Sequence, residues 1–191
     1  MGVGMGAGRH ATAEELAAGA EEIGRAPSDA GTVELIVARP AVDERVLLRE
    51  AMFDPVDGLV GDNWRARGNS RTPDGAADPL AQVTIMNARA AALVAQSPER
   101  WALAGDQLYV DFDLGYENLP AGSRVQVGGA VLEVTPKPHT GCVKFSARFG
   151  ADALRFVNSP VGRALRARGL NAAVVGGGTV KLGDTITKLL P

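Results

Sequence analysis

Apolar and polar positions alternate with a period of two over several short stretches, which is the pattern of half-buried strands. In "TVELIVARP", Val33, Leu35 and Val37 alternate with Glu34 and Ile36, so one face is the more apolar. "QVTIMN" is another strand, and "QLYVDFDL" alternates cleanly. "SRVQVGGAVLEVTP" predicts a hairpin: Val125 and Val127 alternate, Gly128 and Gly129 turn, and Leu132 and Val134 resume the alternation. "NAAVVGGGTVKLGDTITKL" predicts three short strands broken by glycine runs. "ERVLLREAMF" fits either a strand or a short helix, and "FDPVDGLVGDNWRARG" is turn-rich. Helical spacing is confined to fewer segments. "TAEELAAGAEEI" opens with Thr12 and Glu15 in capping-box spacing and stops at Gly24. "ARAAALVAQ", "PERWALAG", "ADALRFVN" and a segment opening at Pro160 and ending at Gly169 are the others. Residues 68–79 form a polar loop near the upper length of ordinary connections. Many short strands with few helices, and no βα alternation, predict a mainly β fold with helical insertions (α+β), closed as a barrel.

Length and composition narrow this picture. A chain of 191 residues suits one domain. The pattern assigns residues 31–191 to it, and residues 1–30 to a flexible N-terminal extension that carries one short helix. Hydrophobic residues make up 46% and aromatic residues only 5%, so Val, Leu, Ala and Ile must fill the core. The absence of a run of about 18 apolar residues excludes a membrane-spanning helix. The N-terminus lacks the cationic start and apolar core of a secretory leader, and its glycines lack the setting of a dinucleotide fingerprint. One cysteine permits no internal disulfide, and a reducing cytoplasm is the expected home.

The net charge of −2 conceals an asymmetry. Residues 1–135 hold 11 Lys and Arg against 20 Asp and Glu (−9), residues 136–168 hold 7 against 1 (+6), and the last 23 residues add +1. A local positive field raises the concentration of small anionic ligands, although a solvated face on "VGRALRARG" would carry the same charges. Beyond Phe145, Phe149 and Phe156 the block lacks the interleaved aromatic residues of a nucleic-acid surface, and the whole chain is slightly acidic.

The basic block opens with "PKPHTGCVKFSARFG", which holds the lone Cys142, with His139, Lys137, Lys144 and Arg148 close by. Two readings are open for Cys142. Free cysteine is among the most buried residue types and can be a small core filler. On a loop after a strand, with Gly141 beside it and cations around it, it can equally be a thiolate held below the ordinary value of about 8.5, fit for nucleophilic attack or metal ligation. His139 is either part of that chemistry or a loop residue bonded to the backbone. One cysteine and one histidine do not make a structural zinc site. Asp62 and Asp184, each after glycine, have the signature of turn formers. Glu117 and Asn118 can close a turn or receive a ligand's hydrogen bonds.

Taken in order, "GLVGDNW", "QVTIMN", "DFDLGYENLP", "GSRVQVGGAVLEVTPKPHTGCVKF" and "NAAVVGGGTVKLGD" resemble the MOSC family, named for the C-terminal domain of molybdenum cofactor sulfurases. The resemblance covers roughly residues 33–188. It implies a MOSC-type β-barrel and a role around molybdenum cofactor or sulfur transfer, with Cys142 carrying sulfur or ligating molybdenum. The family's Glu-Asn pair falls on Glu117 and Asn118, and its early Gly-Asp on Gly61 and Asp62. Lys137, Lys144, Arg148 and Arg163 would then attract the phosphate of the pterin. Two departures stand out: Tyr116 precedes Glu-Asn where many members have glycine, and Trp64 stands near where many have histidine. The pyridoxal-phosphate-dependent half of the sulfurases is absent from this sequence. The implied roles are a cofactor-binding protein, with reduction of N-hydroxylated compounds as the family-like reaction, or a metal-free carrier loaded by a sulfur-donor protein.

Overall fold

The computed structural model describes residues 8–190. The glycine-rich reading of residues 1–7 lies outside the described residues. From its N-terminus the chain forms α1 (Ala13–Gly24), β1 (Ala30–Ala38), β2 (Val46–Leu48), β3 (Glu50–Asp54), β4 (Gly58–Leu59) and α2 (Trp64–Arg67). Then follow β5 (Val83–Asn87), α3 (Ala88–Ala95), β6 (Leu108–Asp111), β7 (Arg124–Val127) and β8 (Ala130–Val134). The chain ends with α4 (Val143–Phe149), α5 (Ala151–Asn158), α6 (Pro160–Ala164), β9 (Leu170–Gly176), β10 (Gly178–Lys181) and β11 (Thr185–Leu189). Short 3-10 helices occupy Pro79–Ala81 and Pro98–Ala104.

Seven strands run β11-β7-β8-β9-β5-β6-β1, and a further pairing of β1 with β11 closes the ring into a barrel, with β2 added outside β1. Closure falls to β1 because it serves two partners along its length. Residues Ala30 to Thr32 pair with β11 and residues Thr32 to Ile36 pair with β6, with a register shift between Val33 and Leu35. An irregularity of this kind bends a strand and lets it turn a barrel corner. A second sheet, β10-β3-β4, caps one side. The mainly β fold with helical insertions is therefore the observed one.

Two apolar clusters explain the layers. The barrel interior gathers Val33, Ile36, Phe53, Ile85, Leu108, Val110, Val127, Leu132 and Ile186. Outside it, Leu16, Ile23, Val37, Met86, Val94, Tyr109, Phe145, Phe149 and Val157 join α1, α3, α4 and α5 to the outer face of β1, β5 and β6. β5 is buried on both faces along its whole length, its polar Thr84 and Asn87 included. It pairs in parallel with β6, and α3 with the 3-10 helix makes the crossover such a pair requires. Asn87 places that crossover: its Oδ1 caps α3 at Ala90 N and its Nδ2 donates to Phe112 O.

The Thr12/Glu15 capping box forms as expected. Residues 8–29, expected as part of a flexible extension, pack onto the helical layer where they are described. Ala11, Leu16 and Ile23 are buried, and Arg9 pairs with Glu15. The segment after Cys142 folds as α4, a helix the sequence pattern does not predict.

Candidate functional site

The strand β8 ends at Val134, and Thr135 then fastens the chain to the barrel by donating its hydroxyl to Leu80 O at 2.7 Å. From there Pro136 to His139 line a cleft of about 110 Å³ together with Tyr116, Ala121, Thr135, Arg166 and Leu170. The two prolines stiffen the run, since each fixes its own φ and restricts the residue before it.

His139 is mostly enclosed, with 18% of its side chain exposed, and its Nε2 lies 2.9 Å from Asp106 Oδ1. Asp106 is fully enclosed and takes Arg168 Nη1 on its other oxygen at 2.6 Å. Burial opposes ionisation of Asp106, but the Arg168 and His139 partners hold it well below the usual carboxylate range. Burial lowers the His139 pKa most, and the Arg168 charge adds to it against the pull of Asp106. The imidazole is thus neutral at pH 7, and an ionised Asp106 draws its one proton to Nε2. Nδ1 is left as an acceptor, unsealed and without a bond to a described residue.

A pH dependence follows from this arrangement. A folded pKa below the unfolded value means that the unfolded chain binds the proton more readily. The His139 contribution is complete above the unfolded value of about 6.5 and declines as pH falls below it, by up to about 1.4 kcal/mol per pH unit. Urea titrations of the wild type and of His139→Gln between neutral pH and pH 5 are expected to show that slope in the wild type and a shallower one in the variant. Parallel curves would rule the linkage out.

Cys142 lies three residues beyond His139 and does not line the cleft. It is exposed, at the N-cap of α4, and Sγ makes no capping bond. Of the two sequence readings, the buried filler is excluded. The Cys142 loop is held from behind: Gly141 N donates to Asn158 Oδ1 and Asn158 Nδ2 donates back to Gly141 O. A Cβ added at Gly141 would meet the Leu154 and Val157 methyls at 2.8 Å, so those side chains would have to shift.

The cations expected around Cys142 have other partners. Lys137 pairs with Asp78, Lys144 lies 3.8 Å from Asp43, and Arg148 pairs with the same Asp43 at 2.7 Å. The acidic N-terminal part of the chain thus supplies the counter-charges for the basic block. Arg163 is exposed.

One guanidinium pattern was not legible in the sequence. Four consecutive carbonyls at the end of the Pro98–Ala104 helix each accept from a different arginine. Ala102 O takes Arg45, Leu103 O takes Arg148, Ala104 O takes Arg168 and Gly105 O takes Arg39, at 2.8 to 3.1 Å. The late carbonyls of a helix lack intrahelical donors and carry partial negative charge, so they attract cations. These arginines come from the β1–β2 connection, α4 and the segment before β9, and no sequence spacing relates them.

Asp62 is part of that frame. Its carboxylate is fully enclosed and accepts from Arg39 Nε at 2.9 Å, Arg39 Nη2 at 2.8 Å, Arg39 N at 2.7 Å and Trp64 N at 3.1 Å. Trp64 is buried and its Nε1 donates to Asp78 O. Asn118 spans Ser28 O and Asp113 O, and Glu117 beside it is exposed. The site residues read from sequence therefore fall in three places: Lys137 and His139 at the cleft, Cys142, Lys144 and Arg148 on and around α4, and Asp62, Glu117 and Asn118 apart from both.

No protein-family model matches this chain, and no curated protein matches it in sequence. Solved structures do resemble it. The YuaD protein from Bacillus subtilis aligns with a TM-score of 0.59 at 18% identity, over 82% of this chain and 94% of that one. YiiM from Escherichia coli aligns with a TM-score of 0.54 at 17% identity, over 84% of this chain and 70% of that one. YiiM from Geobacillus stearothermophilus gives 0.51 at 10%, over 84% and 73%. At these identities the likeness establishes the barrel fold. No helix among the described residues is long and apolar enough to cross a membrane.

Proposed function

We propose that this chain is a stand-alone MOSC-type domain whose working group is the Cys142 thiol. The observation that carries the reading is the exposure of that one cysteine at the N-cap of α4, on a loop anchored by Asn158. The ordered sequence resemblance and the closed barrel support it.

Among the described residues, no group of three or more His, Cys, Asp or Glu could hold a metal ion. A metal bound wholly by protein ligands does not fit this donor set. A metal that arrives with its own ligands and takes one soft thiolate does fit, and molybdenum cofactor is such a group. Cys142 would ligate it, and the cofactor would supply redox chemistry, with N-hydroxylated compounds as the substrates the resemblance implies. In that setting Asn158 and Gly141 fix the loop that presents the thiol.

A second reading draws on the neighbour of Cys142. Val143 is 84% exposed, so the thiol stands on open surface with an apolar residue beside it. That surface suits transfer from another protein's cysteine persulfide. The Cys142 thiolate attacks the outer sulfur, a new S–S bond forms at Cys142, the donor's S–S bond breaks, and the donor leaves as a thiolate.

Iodoacetamide is expected to label the native wild type and leave Cys142→Ser unlabelled, with the melting curve of the variant within about 0.5 kcal/mol of the wild type. Molybdenum and pterin content after expression in a cofactor-competent host separates the two roles. A Cys142→Ser protein with full cofactor content would end the ligand role. Absence of a one-sulfur adduct at Cys142 after exposure to a cysteine desulfurase would end the carrier role.

A further inference from the structure

Arg166 breaks two local rules at the edge of the cleft. It is a non-glycine residue at φ 45°, a region such residues rarely occupy. The residue is also only 7% exposed, and its guanidinium has no carboxylate partner among the described residues. Buried charges are ordinarily paired. Nη1 donates to Leu114 O at 3.1 Å and Leu119 O at 2.6 Å, and the Tyr116 ring covers the group at 3.9 Å. Beyond the Tyr116 side chain, Nε and Nη2 have no partner among the described residues, and neither is sealed from solvent.

Arg100 provides the contrast. It too is a buried guanidinium, but both its Nη atoms end on carbonyls, Phe149 covers it, and its free Nε is sealed. Arg100 is structural throughout, whereas Arg166 keeps free donors at an opening. Strain retained in such a position is characteristic of binding sites.

Lys137 and His139 line the same cleft. Asp78 takes one of the three N–H groups of the Lys137 ammonium. His139 is different in kind, since Asp106 occupies its Nε2 and leaves Nδ1 to accept. A fully deprotonated anion would meet that lone pair unfavourably, while an anion carrying an O–H would donate to it.

We infer that the cleft binds a small protonated oxyanion, hydrogen phosphate either free or as a singly protonated monoester. Arg166 and Lys137 hold its charged oxygens and Nδ1 of His139 takes its O–H. A site built around a fixed acceptor discriminates against a ligand that lacks the matching donor. Phosphate is therefore preferred to sulfate, which has the same shape and no proton at neutral pH.

The test is calorimetric titration of the full chain, at neutral pH and matched ionic strength, with inorganic phosphate, sulfate and glycerol phosphate. Phosphate is expected to bind saturably, and sulfate at least about ten-fold more weakly. Arg166→Gln is expected to abolish saturation. Because Arg166 also ties Leu114 and Leu119 together, it is tested beside Lys137→Met, whose side chain is 35% exposed and whose loss is expected to weaken phosphate several-fold. Lys181→Met, outside the cleft and on an exposed side chain, serves as the control. Tighter binding of glycerol phosphate identifies an ester as the occupant, and tighter binding of inorganic phosphate the free ion. Equal affinity for sulfate, the absence of saturation, or equal weakening by Lys181→Met would overturn the assignment. Cys142 does not line the cleft, so phosphate binding without sulfur or molybdenum loading, or the reverse, separates this inference from the Cys142 reading.

Discussion

Asp106→Asn is expected to destabilise the fold by about 3–5 kcal/mol, because it removes one partner of a buried charge pair and strands the other. Arg168 is 8% exposed on its side chain and Asp106 is 0% exposed, so water cannot replace the lost carboxylate. The Arg168 Nε is already sealed without a partner, which leaves the guanidinium dependent on Asp106 and on Ala104 O. At about 2–4 °C per kcal/mol for a chain of this size, the melting temperature should fall by about 10 °C. The double variant Asp106→Asn/Arg168→Met should recover part of the loss, since an apolar pair carries no uncompensated charge. Glu133→Gln is the matched control. It breaks the Arg124–Glu133 pair, exposed on both sides, and is expected to cost about 0–1 kcal/mol. If Asp106→Asn melts with the wild type, the buried pair is not what holds the cleft loop to the barrel.

Asp62→Ala is expected to cost as much, about 3–5 kcal/mol, by stranding the Arg39 guanidinium, which is 11% exposed. Asp184→Ala is expected to cost only about 1 kcal/mol, the value of one ordinary hydrogen bond. The comparison is informative because both aspartates follow a glycine and carry the same sequence signature. Asp184 closes the β10–β11 turn through one bond from Lys181 N at 2.7 Å. Asp62 accepts three bonds from Arg39 and one from Trp64 N inside the protein. Guanidinium denaturation curves of the two variants would test this. Equal midpoints would show that Asp62 is a turn former and no more. Because donors already surround its carboxylate, Asp62 has little left to offer a ligand.

The strands were legible because each half-buried strand carries its own alternation, and the hairpin because Gly128 and Gly129 mark it locally. α4 escaped notice because "VKFSARF" is short, carries no acidic first turn and follows a cysteine N-cap whose side chain makes no capping bond. Within the site, the Pro-Lys-Pro-His-Thr-Gly-Cys run drew attention to His139 and Cys142. Nothing in it showed that His139 turns to Asp106, 33 positions earlier, while Cys142 faces outward. Nor could it show Arg166 as a cleft residue, since "RALRARG" fits a solvated helix end equally well.

The sequence by itself determined the local elements, the mainly β class and the concentration of positive charge after residue 135. Those properties depend on neighbours one to four positions apart, within reach of propensity, periodicity and charge counting. The tertiary structure alone decided barrel closure through β1, the partner of each buried charge, and which free donors face the cleft. Burial and charge pairing are set by groups that are distant in the chain and adjacent in space, so no local pattern records them.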